Sequence, residues 1–476
     1  MTIKEIKSLK QAEQAMKNAT EESKFLIEKL NKSGFEAYVV GGSVRDSFLG
    51  LPISDIDIAT SATPDEIKEV FGEYTSLENG LKHGTVPIIV KGTMYEITTF
   101  RQDGEYEDSR RPNEVFFTRS FEEDVKRRDF TINSLGYSPL KGIIDFEDGI
   151  SDLMSKKIKA VGNADERFSE DPLRIIRGLR FASKLGFTIE EETKKAMFEN
   201  KEKLKSVSAE RLSTELKGLL VGKDAFKVIN DNKDIIAVLV PELEKTFNYD
   251  QQNPHHIFSL WKHSLLVMSN ANSKKHPVEF KLAGLLHDIG KPNTFQMNEI
   301  KKQANYFGHE EESAKIAEEI LRKLKFSNKE IAKVAGLILD HGLEISEKPY
   351  KIKKNIYEMG TERFLDMIDF QIADNSSKLN SHNEKVAKLE RIKDFAQEYI
   401  KQDPILSHKQ LKVTPQELIE EGIKGKNLGE TLNYLVLQVI SGTKNEKESL
   451  ISQAVRKNLW TTKQKKSQFP ETSSAL

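Results

Sequence analysis

The sequence predicts an α+β fold: a head built on a mixed sheet, followed by domains made of helices alone. Short runs rich in Val, Ile, Tyr and Phe (AYVVGG, DIDIAT, VPIIVKG, MYEITTF, EVFFT) alternate with helix-like segments and glycine punctuation from about residue 34 to 160. From about residue 165 the strands vanish and apolar residues recur at helical spacing, as in Leu173, Ile176, Leu179 and Phe181, and again in Leu212, Leu216, Leu219 and Leu220. At 476 residues the chain is too long for one core, and the length suits about three domains.

Taken in order, residues 1–33 read as an amphipathic helix carrying Phe25, Leu26 and Leu30 on one face. The segments then divide into a head over 1–160, a helical neck over 161–247, a histidine-rich helical unit over 248–380 and a helical tail over 381–476. The stretch NYDQQNPHH, rich in Asn, Gln and Pro, marks the boundary near 248–256. The polar end, QKKSQFPETSSAL, is expected to be disordered.

Composition narrows the function. With 37% hydrophobic and 31% charged residues the chain is a globular mixture. No apolar run approaches the roughly 18 residues of a membrane helix, and the charged N-terminus lacks a signal-peptide core. A cytoplasmic location is therefore expected. The absence of cysteine excludes disulfides, thiolate metal sites and cysteine nucleophiles. A net charge of −1 means that any RNA binding must use local basic surface. Arg101, Arg110, Arg111, Arg119, Lys126, Arg127 and Arg128 offer such a surface, or simply a solvated face.

The densest chemistry lies in AYVVGGSVRDSFLGLPISDIDIAT. Gly41, Gly42 and Ser43 form a strand-to-helix turn whose backbone N–H groups can approach phosphate, and Arg45 sits one turn on. Asp55 and Asp57 alternate with Ile56 and Ile58, so on a strand the two acids share one face and the isoleucines share the other. Two adjacent carboxylates repel unless a divalent cation lies between them. Phosphoryl transfer by two metals needs such a platform: one ion activates the attacking 3′-hydroxyl and the other neutralises the departing pyrophosphate. Two solvent-facing acids on an ordinary strand are the plainer alternative.

GGSVRD followed by DIDIAT resembles the nucleotidyltransferase head of the bacterial class II CCA-adding enzymes and their poly(A) polymerase relatives. The resemblance continues through TTFRQDGEYEDSRRPNEVFF, EEDVKRRDFTINSLGY, SEDPLRIIRGLRFASKLGF and AERLSTELKGLL, in family order across about 35–220. It implies a polymerase-β-like nucleotidyltransferase head with two Mg2+ ions on Asp55 and Asp57, and tRNA, CTP and ATP as partners; neither a membrane nor DNA is expected. It also implies that Gly42, Ser43 and Arg45 bind nucleotide, that Arg128 contacts the incoming nucleotide and that Asn133 lies near its sugar. Asp129 is read as buttressing an arginine rather than binding metal. Glu96, in MYEITTF, stands where related polymerases put a third acid, or is merely structural.

Asp171 and Arg174 give this resemblance a physical content. Pro172 suits a first helical turn with Asp171 as its cap, and residues three apart are neighbours on one helix face. A carboxylate accepts hydrogen bonds and a guanidinium only donates them. Cytosine and adenine both present an amino donor beside a bare ring nitrogen, which suits the pair. Uracil and guanine present a carbonyl and a ring N–H, so donor would meet donor at Arg174, at a cost of about 1–3 kcal/mol for each buried group left unpaired. By resemblance the two are the family's amino-acid template, with Arg177 and Arg180 following at three-residue steps.

By the same resemblance, FRQDGEYEDSRRP is the flexible loop that permits switching from C to A addition, which argues against a CC-only enzyme. The stretch KVTPQELIEEGIKGKNLGETLNYLVLQVISG resembles the tail that grips tRNA. An A-adding enzyme or a poly(A) polymerase would carry nearly the same motifs.

A second centre is suggested by His255, His256, His263, His276, His287, His309 and His341, which crowd one helical unit. His287 and Asp288 in HDIGKP, with His263 upstream and Asp374 downstream, resemble an HD phosphohydrolase domain, and His309 and His341 enlarge the set. Imidazole and carboxylate ligands suit Mn2+, Fe2+, Ni2+, Zn2+ or Mg2+ and would activate water for phosphoester hydrolysis. A degenerate HD fold serving as an RNA-binding spacer is the alternative. The expected function is thus CCA addition to tRNA; a hydrolase acting on RNA ends and a non-catalytic tRNA binder are the competing classes.

Overall fold

The computed structural model describes residues 3–17, 21–53, 55–72, 74, 84–103, 115–253, 258–378, 383–402, 404 and 407–468. The switching loop beyond Asp103, including Arg110 and Arg111, and His255 and His256 lie outside these residues. The chain divides into two compact units, residues 1–245 with 319–328, and residues 246–318 with 329–476.

The first unit opens with α1 (Ile3–Lys17) and α2 (Glu21–Lys32), two helices where the sequence predicted one. Leu26 and Leu30 are buried as expected, but Ile27 joins them and Phe25 faces outward. A six-stranded sheet follows, built from β1 (Ala37–Val40), β2 (Asp57–Thr60), β3 (Thr85–Val90), β4 (Thr93–Thr99), β7 (Gly136–Ser138) and β8 (Gly142–Ile144) in the order β3-β4-β2-β1-β7-β8. It is mixed because β2 runs parallel to β4 while the other pairs are antiparallel. A short ribbon of β5 (Arg101–Asp103) and β6 (Val115–Phe117) leads to α5 (Phe121–Lys126). Stacked rings join α5 to the sheet, with Tyr38 and Phe121 centroids 4.5 Å apart.

Three elements position the cleft. α3 (Gly42–Phe48) begins at Gly41, whose φ of +72° is open to glycine and strained for other residues. Past α4 (Pro64–Phe71), α6 (Gly149–Met154) and α7 (Ala164–Glu170) comes α8 (Leu173–Leu185), which ends on Gly186 in the left-handed region. α8 buries Leu173, Ile175, Ile176, Leu179, Phe181 and Leu185, while its arginines fall at every third position on another stripe. Beyond α9 (Glu191–Glu199), α10 (Ala209–Leu220) packs along α8.

The second unit is helical, with its centre walled by Leu260–Asn270, Pro277–Leu286 and Thr361–Ser376. Two apolar cores follow, one around Phe364, Met367, Leu389 and Ile392, the other around Leu411, Leu418, Leu435 and Leu450. Strands do not stop entirely after the head. Thr188–Ile189 pairs with Lys157–Ile158, and Gln296–Asn298 pairs with Gln303–Asn305. The last helix runs to Gln468, so the segment expected to be disordered begins as helix.

Candidate active site and candidate metal centre

A cleft of about 470 Å³ opens in the first unit, lined by Gly41, Gly42, Arg45, Asp57, Arg127, Arg128, Asp129, Asn133, Asp171, Arg174, Arg177 and Arg180 among others. One wall is the start of β2. Asp55 and Asp57 are exposed while Ile56 and Ile58 are buried, an alternation that begins in the loop and runs into β2, which itself starts at Asp57. Asp57 is in register with Val40 on one side and Glu96 on the other. Its side chain reaches solvent, but the protein packed around the carboxyl partly desolvates it and pushes it up; Glu96 and Asp55 add to the rise, and Arg128 opposes it. Such a gathering of hard oxygen donors is the environment a divalent cation would relieve. Asp55 and Ser43 do not line the cleft; the buried Ser43 hydroxyl donates to the Asp55 carbonyl and ties the loop to α3.

The opposite wall is α8 and the motif that precedes it. Arg127 and Arg128 are both held by Asp124, fully buried on α5. Burial works against that carboxylate's charge, yet Arg128 and Arg127 outweigh it and hold its carboxyl below the usual range. Asp129 accepts from Asn133, from the Phe130 backbone and from Arg177 Nε and Nη2, the last at 2.7 Å. It buttresses an arginine, as its place in the motif predicted. Arg45 is 4% exposed and donates to Asn133 Oδ1 at 2.7 Å and to Asp46, so it fixes the asparagine from below. The guanidiniums of Arg45, Arg177 and Arg180 gather over the Phe181 ring at 5.2, 5.5 and 4.6 Å.

Asp171 and Arg174 both line the cleft, and Asp171 stands just before α8 in the extended conformation of the capping residue the sequence suggested. Its Oδ1 accepts from the Leu173 N–H, and its Oδ2 accepts from Arg211 Nη2 at 2.7 Å. Arg174, 8% exposed, donates instead to Glu170, to the Arg167 carbonyl and to the Arg127 carbonyl. Each partner is thereby spared from neutralising the other. Those bonds use three of the five guanidinium N–H groups of Arg174. Sequence reasoning missed Asp124, Glu170, Arg211 and Glu215. The first two stand three or four residues from their arginines, a visible spacing. Arg211 and Glu215 reach the site from α10, and Glu215 joins Arg177 at 3.3 Å and Arg180 at 2.6 Å.

In the second unit, His263, His287, Asp288, His309, His341 and Asp374 converge, whereas His276 turns away to Glu362. Asp288 Oδ2 lies 3.2 Å from His287 Nε2 and 3.6 Å from His263 Nε2, while its Oδ1 lies 3.3 Å from His309 Nε2. Asp374 Oδ1 lies 3.2 Å from His263 Nε2. His287, His309 and His341 each turn Nδ1 to a backbone carbonyl, at 3.0, 2.7 and 2.5 Å, leaving Nε2 as the inward ligand atom. Buried His287 Nε2, Asp288 Oδ1 and Asp374 Oδ1 find no aligned hydrogen-bond partner among the described residues. Burial and the neighbouring His287 push His341 down to about 3, so it is neutral and able to ligate. Orphaned nitrogen and oxygen donors of this kind fit a divalent metal. Lys291 and Lys378, each 2.6 Å from a carboxylate, went unnoticed in the sequence.

Comparison with known proteins matches families to both parts of the chain. The poly A polymerase head domain matches residues 37–159, the probable RNA and SrmB-binding site of polymerase A matches 186–246, and the HD domain matches 260–379. The chain is 35% identical over 426 residues to a CCA-adding enzyme of Staphylococcus saprophyticus, covering 89% of this chain and 94% of that one. It is 51% identical over 205 residues to one of Enterococcus faecalis, covering 43% and 50%. Among solved structures, the Bacillus stearothermophilus CCA-adding enzyme in complex with CTP superposes with a TM-score of 0.68 at 28% identity, over 93% of this chain and 98% of that one. The Thermotoga maritima CCA-adding enzyme complexed with tRNA shares the fold at 21% identity, with a TM-score of 0.56 over 91% and 94%. No helix among the described residues is long and apolar enough to cross a membrane. With a relative at this identity matched over nearly its whole length, the chain belongs to the family of CCA-adding enzymes.

Proposed function

We propose that the chain adds C, C and A in turn to the 3′ end of tRNA, drawing on CTP and ATP. The observation that carries this is the pairing, across one cleft, of the acid edge at Asp57 with Asp171 and Arg174, each anchored by a partner of its own. Asp55 and Asp57 are the residues that would hold two Mg2+ ions, which when bound activate the terminal hydroxyl and neutralise the leaving pyrophosphate. Arg128 and the Gly41-Gly42 turn receive the triphosphate, and Asn133, steadied by Arg45 and Asp129, meets the sugar. The Asp171 carboxylate accepts from the amino group of cytosine or adenine while Arg174 donates to the bare ring nitrogen. Uracil and guanine reverse both roles, and one mismatch of about 1–3 kcal/mol is worth about fivefold to 150-fold. The cysteine-free sequence suits the reducing cytoplasm.

The test uses three tRNAs ending at the discriminator base, after the first C and after the second C, each with CTP and ATP. Extension of all three is expected. Extension of the last alone means A addition, and no extension overturns the reading. Asp55→Ala and Asp57→Ala should each abolish addition with tRNA binding largely retained.

A second activity is favoured by the buried, orphaned donors around Asp288. We propose that this centre, loaded with a divalent metal, hydrolyses phosphoesters such as a 2′,3′-cyclic phosphate at an RNA end. The three backbone-tethered histidines fix the ligand directions, and buried Lys291 donates to Asp288 and Gln251 beside them.

A further inference from the structure

We infer that Asp124 is a positioning residue that couples base choice to the phosphate side of the cleft. Its carboxylate is fully buried, and both oxygens are in use. Oδ1 accepts from the Arg101 backbone N–H at 3.2 Å and from Arg127 Nε and Nη2 at 2.9 and 2.6 Å. Oδ2 accepts from Arg128 Nε and Nη2 at 3.2 and 2.8 Å. One acid thus holds two consecutive guanidiniums in forked geometry, and the pair keeps a net positive charge.

The two arginines lead in different directions. Arg127 draws its side chain back to Asp124, and its carbonyl accepts from Arg174 Nη2 at 2.8 Å. The base-reading guanidinium is therefore braced on a peptide whose own side chain is clamped. Arg128 lies toward the turn and the acids: a methyl placed on Gly41 would sit 4.0 Å from its Nη1, and its charge opposes the rise at Asp57. Through Arg101 the same carboxylate also anchors the root of the β5–β6 ribbon. Packing alone gives little reason to bury one acid beneath two arginines, since an apolar residue of similar volume is often as stable there. The arrangement instead transmits one orientation to two working groups.

The inference rests on the reading of Arg174 as the base-selecting donor, so the experiment carries Arg174→Gln in parallel. Full-length Asp124→Asn and Arg127→Gln are compared with wild type for CTP and UTP addition to tRNA lacking CCA, with kcat and KM separated, and with thermal unfolding and tRNA affinity as controls. Arg127→Gln leaves the Arg128–Asp124 fork intact. It should lower the preference for CTP over UTP about tenfold, mainly through KM, with kcat within about threefold. Asp124→Asn should lower the preference equally and kcat by a further tenfold or more, because Arg128 is released as well. Folded variants that keep the wild-type preference would overturn the inference, and if Asp124→Asn does not fold, Arg127→Gln decides alone. An unchanged preference in Arg174→Gln refutes the base-reading role itself. A loss there, without a loss in the other two, refutes only the coupling.

Discussion

Asp129 illustrates how a buried acid serves as a strut. Burial opposes its charge, but Arg177, Asn133 and the Phe130 amide outweigh it and hold its carboxyl at about 2, against 3.8 ordinarily. A depressed carboxyl contributes stability that is present above the unfolded value and lost as pH falls through the folded one. The gap corresponds to on the order of 2 kcal/mol. Asp129→Asn should therefore destabilise the first unit by about that much at neutral pH, and the difference from wild type should shrink as pH falls from about 4 to about 2. Denaturant unfolding at stepped pH measures it; a difference that stays constant across that window excludes the strut. The role of Asp129 was legible because its motif sits beside arginines. The anchor of Asp171 was not, because Arg211 lies forty residues away and nothing local links them. The place of Asp171 as a cap was legible, because Pro172 and the first turn of α8 follow it directly, and its Oδ1 accepts from the Leu173 N–H.

At the scale of the element, α8 does two jobs that pull on its sequence in different ways. Its apolar stripe was readable from periodicity, and its arginines every third residue signalled a site. What periodicity could not reveal was how such a charged stripe survives half-buried. The answer is the set of acids supplied by Glu170, Asp129 and Glu215, all three from outside α8. Gly178 has a comparable hidden reason. A mid-helix glycine costs about 1 kcal/mol relative to alanine, so Gly178→Ala would ordinarily stabilise. Here the new methyl would lie 2.3 Å from Met197 Cε and 2.8 Å from Phe130 Cζ. The methionine end can swing aside, but Phe130 is fully buried and adjoins Asp129. Overpacking of this kind costs about 1–3 kcal/mol. The melting temperature of Gly178→Ala should fall by a few degrees, with a matching loss of nucleotide addition. A rise in melting temperature would show that helix propensity dominates.

Over the whole molecule, the chain carries two candidate sites on two compact units. Every residue assigned to the cleft lies within residues 1–245, and every residue of the histidine centre lies within 246–318 or 329–476. The strand-rich head and the histidine spacing were both legible, because each rests on local patterns. The division of the C-terminal residues into successive apolar cores was not, since helices of similar periodicity do not announce their partners. This separation makes a direct prediction. His287→Ala combined with Asp288→Ala removes two buried ligands and leaves Lys291 without its carboxylate partner, so the second unit should lose stability and any 2′,3′-cyclic phosphodiesterase activity. Nucleotide addition should persist within about threefold, because the arginines of the cleft, together with Asp129, Asp171 and Arg174, are held by residues of their own unit. Both activities are assayed on the same preparation. Phosphodiesterase activity that survives the double substitution would place hydrolysis elsewhere, and a tenfold or greater fall in nucleotide addition would mean that the two units act as one.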